Sequence, residues 1–434
     1  MVSPPALSPQ YIEEVARRRA AAAAKAAAAC STDGMWSARA SASAAPFVLD
    51  TRDAGELAAA EVRSEYLAKF RPLVVTGAAS TSWVSSEGTT ECMAEAPWTL
   101  EWLVAHVGSK QVAVNVAGSQ TTSCTEGVDV MPFRELAARL LAGEVLYLYD
   151  MSIPLKLPTL TEHLSVPTIY AHDWLQRTRE LHAFSRSWPS LFVGAPGTRS
   201  SLHTDQWRGH FWMAQLHGTK RWTIFHPDDA WCLHPTWSES EPRLEPSFPD
   251  LDEMQADPAR YPHLCLARRV DVTLRPGMLL LVPGGAPHRV VNGAGAISIA
   301  IAGNFVEASN AAATISDLVL MARRRAEGPP ERGAAAAAAA LAELDISEED
   351  DAPCATPHPP HRRVVPWAEY ARGTGAKWAC APAEEEEEAT DAGRCGSDGE
   401  GAAGIVALAF ADDDSSEDDQ VFWRSDGEYE SASD

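Results

Sequence analysis

His203-Thr204-Asp205 and His288 are the side chains of this sequence best suited to chemistry. In an extended strand, residues i and i+2 project from the same face. An imidazole and a carboxylate would therefore stand side by side at 203 and 205, filling two coordination positions of one metal ion. His288 is the best candidate for a third. It follows the apolar run Leu279-Leu280-Leu281-Val282-Pro283 and the small-residue turn Gly284-Gly285-Ala286. A buried strand thus leads into a tight turn that aims one histidine. Two histidines and a carboxylate on one face of a metal leave three positions open, which suits Fe(II) centres that admit a bidentate co-substrate and O2.

Each element alone is weak. An H-x-D tripeptide is common by chance, and a histidine after a strand is more often simply hydrogen-bonded; the combination on alternating apolar strands carries the weight. Lys220 adds to it, because its sequence Lys220-Arg221-Trp222-Thr223-Ile224-Phe225 is a poor setting for a solvated ammonium. A buried ammonium requires an anion, and a carboxylate of 2-oxoglutarate would serve; the plainer alternative is a surface lysine at a strand start. His210, His217, His226 and His234 cluster nearby, and a surface or hydrogen-bonded role outweighs ligation, above all for His217 and His226 at strand ends. Trp207, Trp212 and Trp222 read as core packing, with Trp207 also placed to line a substrate entrance.

The elements that must position these groups lie between 46 and 310. Strands are expected at 72–76, 111–116, 145–149, 200–205, 211–217, 220–225, 270–274, 278–282, 288–291 and 296–302, each a β-branched or aromatic run bounded by turn residues. Pro276-Gly277 separates two of them, as a type I or II turn requires. Segments 132–141 and 173–181 read as helices. The expected fold is mainly β with helical decoration, a double-stranded β-helix (jelly-roll or cupin) barrel. Residues 1–45 form a low-complexity Ala/Ser-rich segment with one helix from 9 to about 30, for which an exposed position is expected because it offers no face to bury. A helix at 311–328 would pad the core or, as the lesser alternative, pair two subunits as a homodimer. Residues 329–434 are expected to be a disordered acidic tail.

The net charge is -24 over 434 residues, and most of the excess lies in that tail. No basic footprint for phosphate is present, which disfavours a nucleic-acid partner. The eight cysteines form no C-x-x-C pair; a reducing, intracellular compartment, cytoplasmic or nuclear, is the default. No apolar run is long enough to cross a membrane. The basic, Ser/Ala-rich 1–45 also has the composition of an organellar targeting segment, against which Glu13 and Glu14 count.

Taken together, His203-Thr204-Asp205, Gly218-Thr219-Lys220-Arg221-Trp222, the Pro276-Gly277 turn, Val282-Pro283 leading to His288, and Gly303-Asn304-Phe305 resemble the JmjC domain. The likeness is to its cupin-like subgroup of asparaginyl hydroxylases of the factor-inhibiting-HIF type and lysyl hydroxylases. It spans about 72–306, roughly half the chain. The resemblance implies that His203, Asp205 and His288 ligate iron and that Lys220 pairs with the distal carboxylate of 2-oxoglutarate. By position it also assigns Ser200 to that carboxylate, Tyr147 to the co-substrate and Asn304 to the pocket wall. Two departures are visible: Met213 stands where some relatives carry a co-substrate Asn, and Ala286-Pro287 replaces aromatic residues before the last histidine. Neither touches a ligand.

The activity so implied is oxidation of a substrate C–H bond coupled to decarboxylation of 2-oxoglutarate to succinate, with Fe(II) and O2. A protein or peptide side chain is the expected substrate, by hydroxylation or by demethylation of an N-methylated residue. The competing reading is a catalytically inactive JmjC-like scaffold, against which the intact ligand set argues. A different metal cupin would show H-x-H at the first pair.

Overall fold

A computed structural model describes residues 7–29, 47–77, 83–84, 90–91, 98–116, 128–167, 173–177, 188–238, 243–324 and 364–366. The strands that build the domain are β1 (Asp50–Asp53), β2 (Leu73–Thr76), β3 (Gln111–Val116), β4 (Val128–Pro132), β5 (Leu146–Ser152), β6 (Ser190–Gly194), β7 (His210–His217), β8 (Lys220–Phe225), β9 (Arg269–Leu274), β10 (Met278–Val282), β11 (His288–Asn292) and β12 (Ser298–Phe305). Four helices matter below: α1 (Pro9–Ala29), α2 (Leu100–Val107), α3 (Phe133–Leu141) and α4 (Ala308–Ala322).

A nine-stranded sheet runs in the order β1-β2-β10-β7-β12-β6-β5-β3-β4, and a three-stranded sheet runs β9-β8-β11. The central strands β7 and β12 are buried almost throughout, because both faces of the large sheet are covered. Its outer face packs on α2 and α3, where Trp212, Ala214, Leu279, Leu281 and Ile301 meet Leu103, Phe133 and Leu136. Its inner face meets the small sheet, with Phe211, Met213, Leu280, Ala300 and Ala302 against Trp222, Ile224 and Val290. This is a jelly roll of two facing sheets, as expected, but among the described residues the sheets do not join into a closed barrel.

The Pro276-Gly277 turn carries the chain from the small sheet to the large one. Gly277 sits at φ +87° and the Met278 N–H reaches the Arg275 carbonyl at 3.0 Å, a type II turn that needs glycine at its third position.

Several expectations change in detail. Segment 200–205 is not a continuous strand: the chain meets β11 through isolated bridges at Arg199↔Val291 and His203↔His288 and through Ser200 Oγ, which accepts the Val290 N–H. The chain leaves that path because Trp207 and Arg208 adopt φ of 53° and 56°. Helix α4 starts at Ala308, earlier than the expected 311, because Glu307 caps it through the Ser309 N–H while Asn310 reaches back to the Glu307 N–H. It ends at Ala322, short of the expected 328, with Arg323 and Arg324 already outside the helix; residues beyond 324 lie outside the described residues, as does the second half of the helix expected at 173–181, of which Trp174–Arg177 is described. Helix α1 does bury a face. Tyr11 and Val15 pack with Leu244 beside Trp237, Leu320 and Met321, and Arg18 pairs with Asp317. The tail expected without order falls outside the described residues except for Val364–Pro366, a strand paired with Ser165–Pro167. Among the described residues no helix is long and apolar enough to cross a membrane.

Candidate metal centre

His203 and His288 face each other across a reciprocal pair of backbone hydrogen bonds, His203 N–H to the His288 carbonyl at 3.1 Å and the reverse at 2.8 Å. This bridge, rather than a regular strand, brings the two imidazoles together, with ring centroids 4.3 Å apart. Asp205 Oδ1 lies 3.8 Å from His203 Nε2 and 3.9 Å from His288 Nε2. One ligand atom from each of the three residues lies within 4.8 Å of the others. Those separations are too long for hydrogen bonds and short enough for one ion to touch all three donors. Among the described residues this is the one such group of three or more metal-ligating side chains.

Each donor is oriented from behind. His203 Nδ1–H donates to the Ser201 carbonyl at 2.8 Å, and His288 Nδ1–H donates to the Ala286 carbonyl at 3.0 Å. Both bonds place the proton on Nδ1 and leave the Nε2 lone pair for a metal. Asn304 donates to Asp205 Oδ2 at 3.1 Å, which turns Oδ1 toward the histidines. Burial, helped by each ring's neighbour at His203, lowers both imidazoles to about 4, so both are neutral at pH 7. Burial also raises the Asp205 carboxyl. A desolvated carboxylate beside neutral imidazoles is the environment that a cation relieves. The donor set, two nitrogens and one oxygen with His203 and Asp205 partly exposed, fits a divalent iron-like ion.

His210 is hydrogen-bonded at a decisive place. It is fully buried. Its Nδ1 accepts the Gly284 N–H at 2.9 Å, and its Nε2–H points to Glu307 Oε1 at 3.2 Å and Ser309 Oγ at 3.0 Å. Gly284 begins the turn that aims His288, and a Cβ there would sit 2.1 Å from the Arg208 carbonyl oxygen. Asn310, beside Glu307 at the start of α4, donates to that same carbonyl at 3.1 Å. The N-terminus of α4 therefore ties the loop after Asp205 to the turn before His288. His210→Ala is expected to weaken metal affinity about 10- to 100-fold, the usual cost of losing an outer partner of a ligand. Titration with Co(II) followed by its visible absorption would measure it; unaltered affinity would reduce His210 to a stability element.

Lys220 stands beside the other end of β11 from His288. His288, Val290 and Asn292 alternate onto one face of β11, and Asn292 stands opposite Lys220 on β8. The ammonium is wholly buried. It donates to Tyr147 Oη at 3.0 Å and Asn292 Oδ1 at 2.8 Å, and it lies 5.1 and 5.7 Å from the centroids of the Tyr147 and Phe192 rings. No carboxylate among the described residues pairs with it, and burial pulls its pKa down to about 7. Two neutral acceptors leave one of three donors uncommitted. The Asn292 amide is fixed by donating to Thr198 Oγ1 at 2.7 Å. Gly194 permits this crowding: a Cβ there would meet Asn292 Nδ2 at 2.4 Å and Tyr147 Cδ2 at 2.6 Å.

The expected pocket residues divide. Tyr147 contacts Lys220, and Asn304 holds Asp205 rather than standing free on the wall. Ser200 is buried, and its Oγ accepts the Val290 N–H at 3.2 Å, which leaves its hydroxyl hydrogen to donate. Met213 is on the inner face and buried. Trp207 is 2% exposed and packs with Trp174 and α4, so it lines no entrance. Asn292 and His210 were missed as contributors. The only hint for Asn292 was a polar residue closing an apolar strand, two positions past Val290.

Comparison with known proteins agrees with this arrangement. The family described as Cupin-like domain matches residues 59–310. The chain is 24% identical to the Arginine-specific demethylase JMJ20 of Arabidopsis thaliana over 269 residues, covering 56% of this chain and 54% of that protein. It is 26% identical to the Lysine-specific demethylase JMJ21 of the same plant over 254 residues, 58% of this chain and 24% of that protein. It is 36% identical to the human HSPB1-associated protein 1 over 95 residues, 22% of this chain and 19% of that protein. The match thus spans about half of the first of these proteins and less of the others.

Proposed function

Because this chain belongs to the cupin-like domain family, with JmjC demethylases among its relatives, we propose that it is an Fe(II)- and 2-oxoglutarate-dependent oxygenase that oxidises a side chain of a protein or peptide. The observation that carries this reading is the pairing of two features on one face of β11: three converging donors at the His288 end and, at the other, a buried ammonium with no acidic partner among the described residues.

His203, Asp205 and His288 would hold the iron. When bound, iron and 2-oxoglutarate would activate O2, with one oxygen atom going to the succinate formed by decarboxylation of the co-substrate and the other into a substrate C–H bond. The chain's own part is positional. Lys220, seconded by the Ser200 and Tyr147 hydroxyls, would hold the distal carboxylate of the co-substrate. Small side chains on the inner face of β12, Ala300 and Ala302, leave room between Lys220 and the metal donors. The apolar lining from Phe211, Met213 and Trp222 limits water at the reacting centre.

Hydroxylation and N-demethylation are the same event at different carbons. Oxygen inserted at an ordinary carbon leaves an alcohol, whereas at an N-methyl carbon the product loses formaldehyde. The named relatives favour the second outcome. The free thiols of Cys232 and Cys265 suit a reducing compartment, cytoplasm or nucleus. The test is anaerobic titration with Fe(II) and 2-oxoglutarate, then admission of O2 and measurement of succinate. Binding of neither component, with the protein folded, would remove the proposal.

A further inference from the structure

Strand β5 carries an irregularity beside the pocket. Leu148 pairs with Val193 and Met151 with Leu191, so β5 holds one more residue than β6 between those points. Such a bulge breaks alternation and re-aims a side chain. Here Leu148 and Met151 both face the outer core, while Tyr149 packs toward the inner cluster, edge-on to Tyr147 and Phe192. Asp150, the last residue of the bulge, adopts φ 52°, a left-handed conformation that costs a non-glycine residue energy.

Register fixes where Asp150 points. It takes a hydrogen bond from the Ser190 side chain. Ser190 lies two residues before Phe192, an inner-face residue, and therefore shares that face. Across the sheet Ser190 stands opposite Ala302, also inner, and Asn304 follows two residues on, bonded to Asp205. Adjacent strands are about 4.8 Å apart and each residue advances about 3.3 Å, so two strand spacings across and two residues along put Asp150 roughly 12 Å from Asn304. Its side chain is exposed, yet the surrounding walls and the charge of Asp205 raise its carboxyl to about 6. No basic side chain among the described residues pairs with it, and Ser190 occupies only part of its accepting capacity. Retaining the bulge hydrogen bond needs one acceptor oxygen, which an uncharged residue could provide; the charge itself is unexplained by the fold.

We propose that Asp150 selects the substrate by charge, as the anion that meets a cationic side chain, an arginine or lysine or its N-methylated form, entering the open side of the metal centre. The proposal deepens the oxygenase reading and rests on it. It also narrows that reading, since neutral residues such as asparagine would leave the Asp150 carboxylate uncompensated on substrate entry.

The experiment uses the full chain, loaded anaerobically with Fe(II) and 2-oxoglutarate. Loading is confirmed by absorption before any peptide is added, so failure of the oxygenase reading shows at that step. Fluorescent peptides identical except for one central residue, arginine, lysine, citrulline or norleucine, are then titrated by anisotropy. The cationic peptides are expected to bind about tenfold more tightly than the neutral ones, as for a partly desolvated charge pair. Asp150→Asn should bring the ratio to about one, and Asp271→Asn, the same change on the exposed edge of β9, should leave it intact. A wild-type protein that binds neutral and cationic peptides equally, binds none, or keeps its preference in Asp150→Asn overturns the proposal.

Discussion

His203→Ala is expected to abolish iron retention and succinate production together while leaving the domain folded. His203 supplies one of only three donor atoms, and the backbone bridge that joins its segment to β11 runs through its N–H and carbonyl, which alanine keeps. The variant should therefore melt near the wild type. Two remaining donors, Asp205 and His288, do not make an octahedral site with the occupancy of three; a loss of at least about 100-fold in affinity is expected, the upper range for perturbing even an outer partner. Iron content after gel filtration, the thermal midpoint and succinate release form the test. A variant that keeps stoichiometric iron and full turnover would show that the metal is elsewhere.

Lys220→Ala is expected to weaken 2-oxoglutarate by about 2–5 kcal/mol, roughly 30- to 4,000-fold, because a buried carboxylate would lose its counter-charge. Iron affinity should change far less, since Lys220 sits at the far end of β8 from the residue opposite His288. Calorimetric titration of metal and co-substrate separately distinguishes the two. The same lysine predicts a pH dependence. Burial holds it at about 7 in the free protein, and a bound carboxylate raises that value. Between the two values the complex carries a proton that the free protein lacks, so binding takes up a proton. Affinity should be flat below pH 7 and fall by up to about tenfold per unit above it. A pH-independent affinity from 6.5 to 8.5 would separate Lys220 from the co-substrate. The wild-type fold itself responds in the opposite sense to its own lysine: a depressed ammonium burdens the folded state below pH 7, and that burden lifts as pH rises toward the unfolded value.

The amino-acid sequence by itself singled out the candidate donor residues, nine of the twelve strands and the turn at Pro276-Gly277, but not β1, β4 or β6. Those features rest on local chemistry. Periodicity of two marks a strand, glycine marks a positive φ, and an H-x-D pair combined with a later histidine after an apolar strand marks the donors. Only the tertiary structure decided how the donors meet. His203 and Asp205 converge through two isolated bridges and a loop with positive φ, not through strand alternation. The acceptors around Lys220 come from strands 72 and 73 residues away in sequence. Glu307, which caps α4, also fastens His210 and through it the His288 turn. The bulge that turns Asp150 inward exists only in the pairing of β5 with β6. Alternation and capping are properties of a single segment and can be read along it. Register and buried polar pairing belong to two segments at once, and the choice between pairings is made by the free energy of packing the whole core.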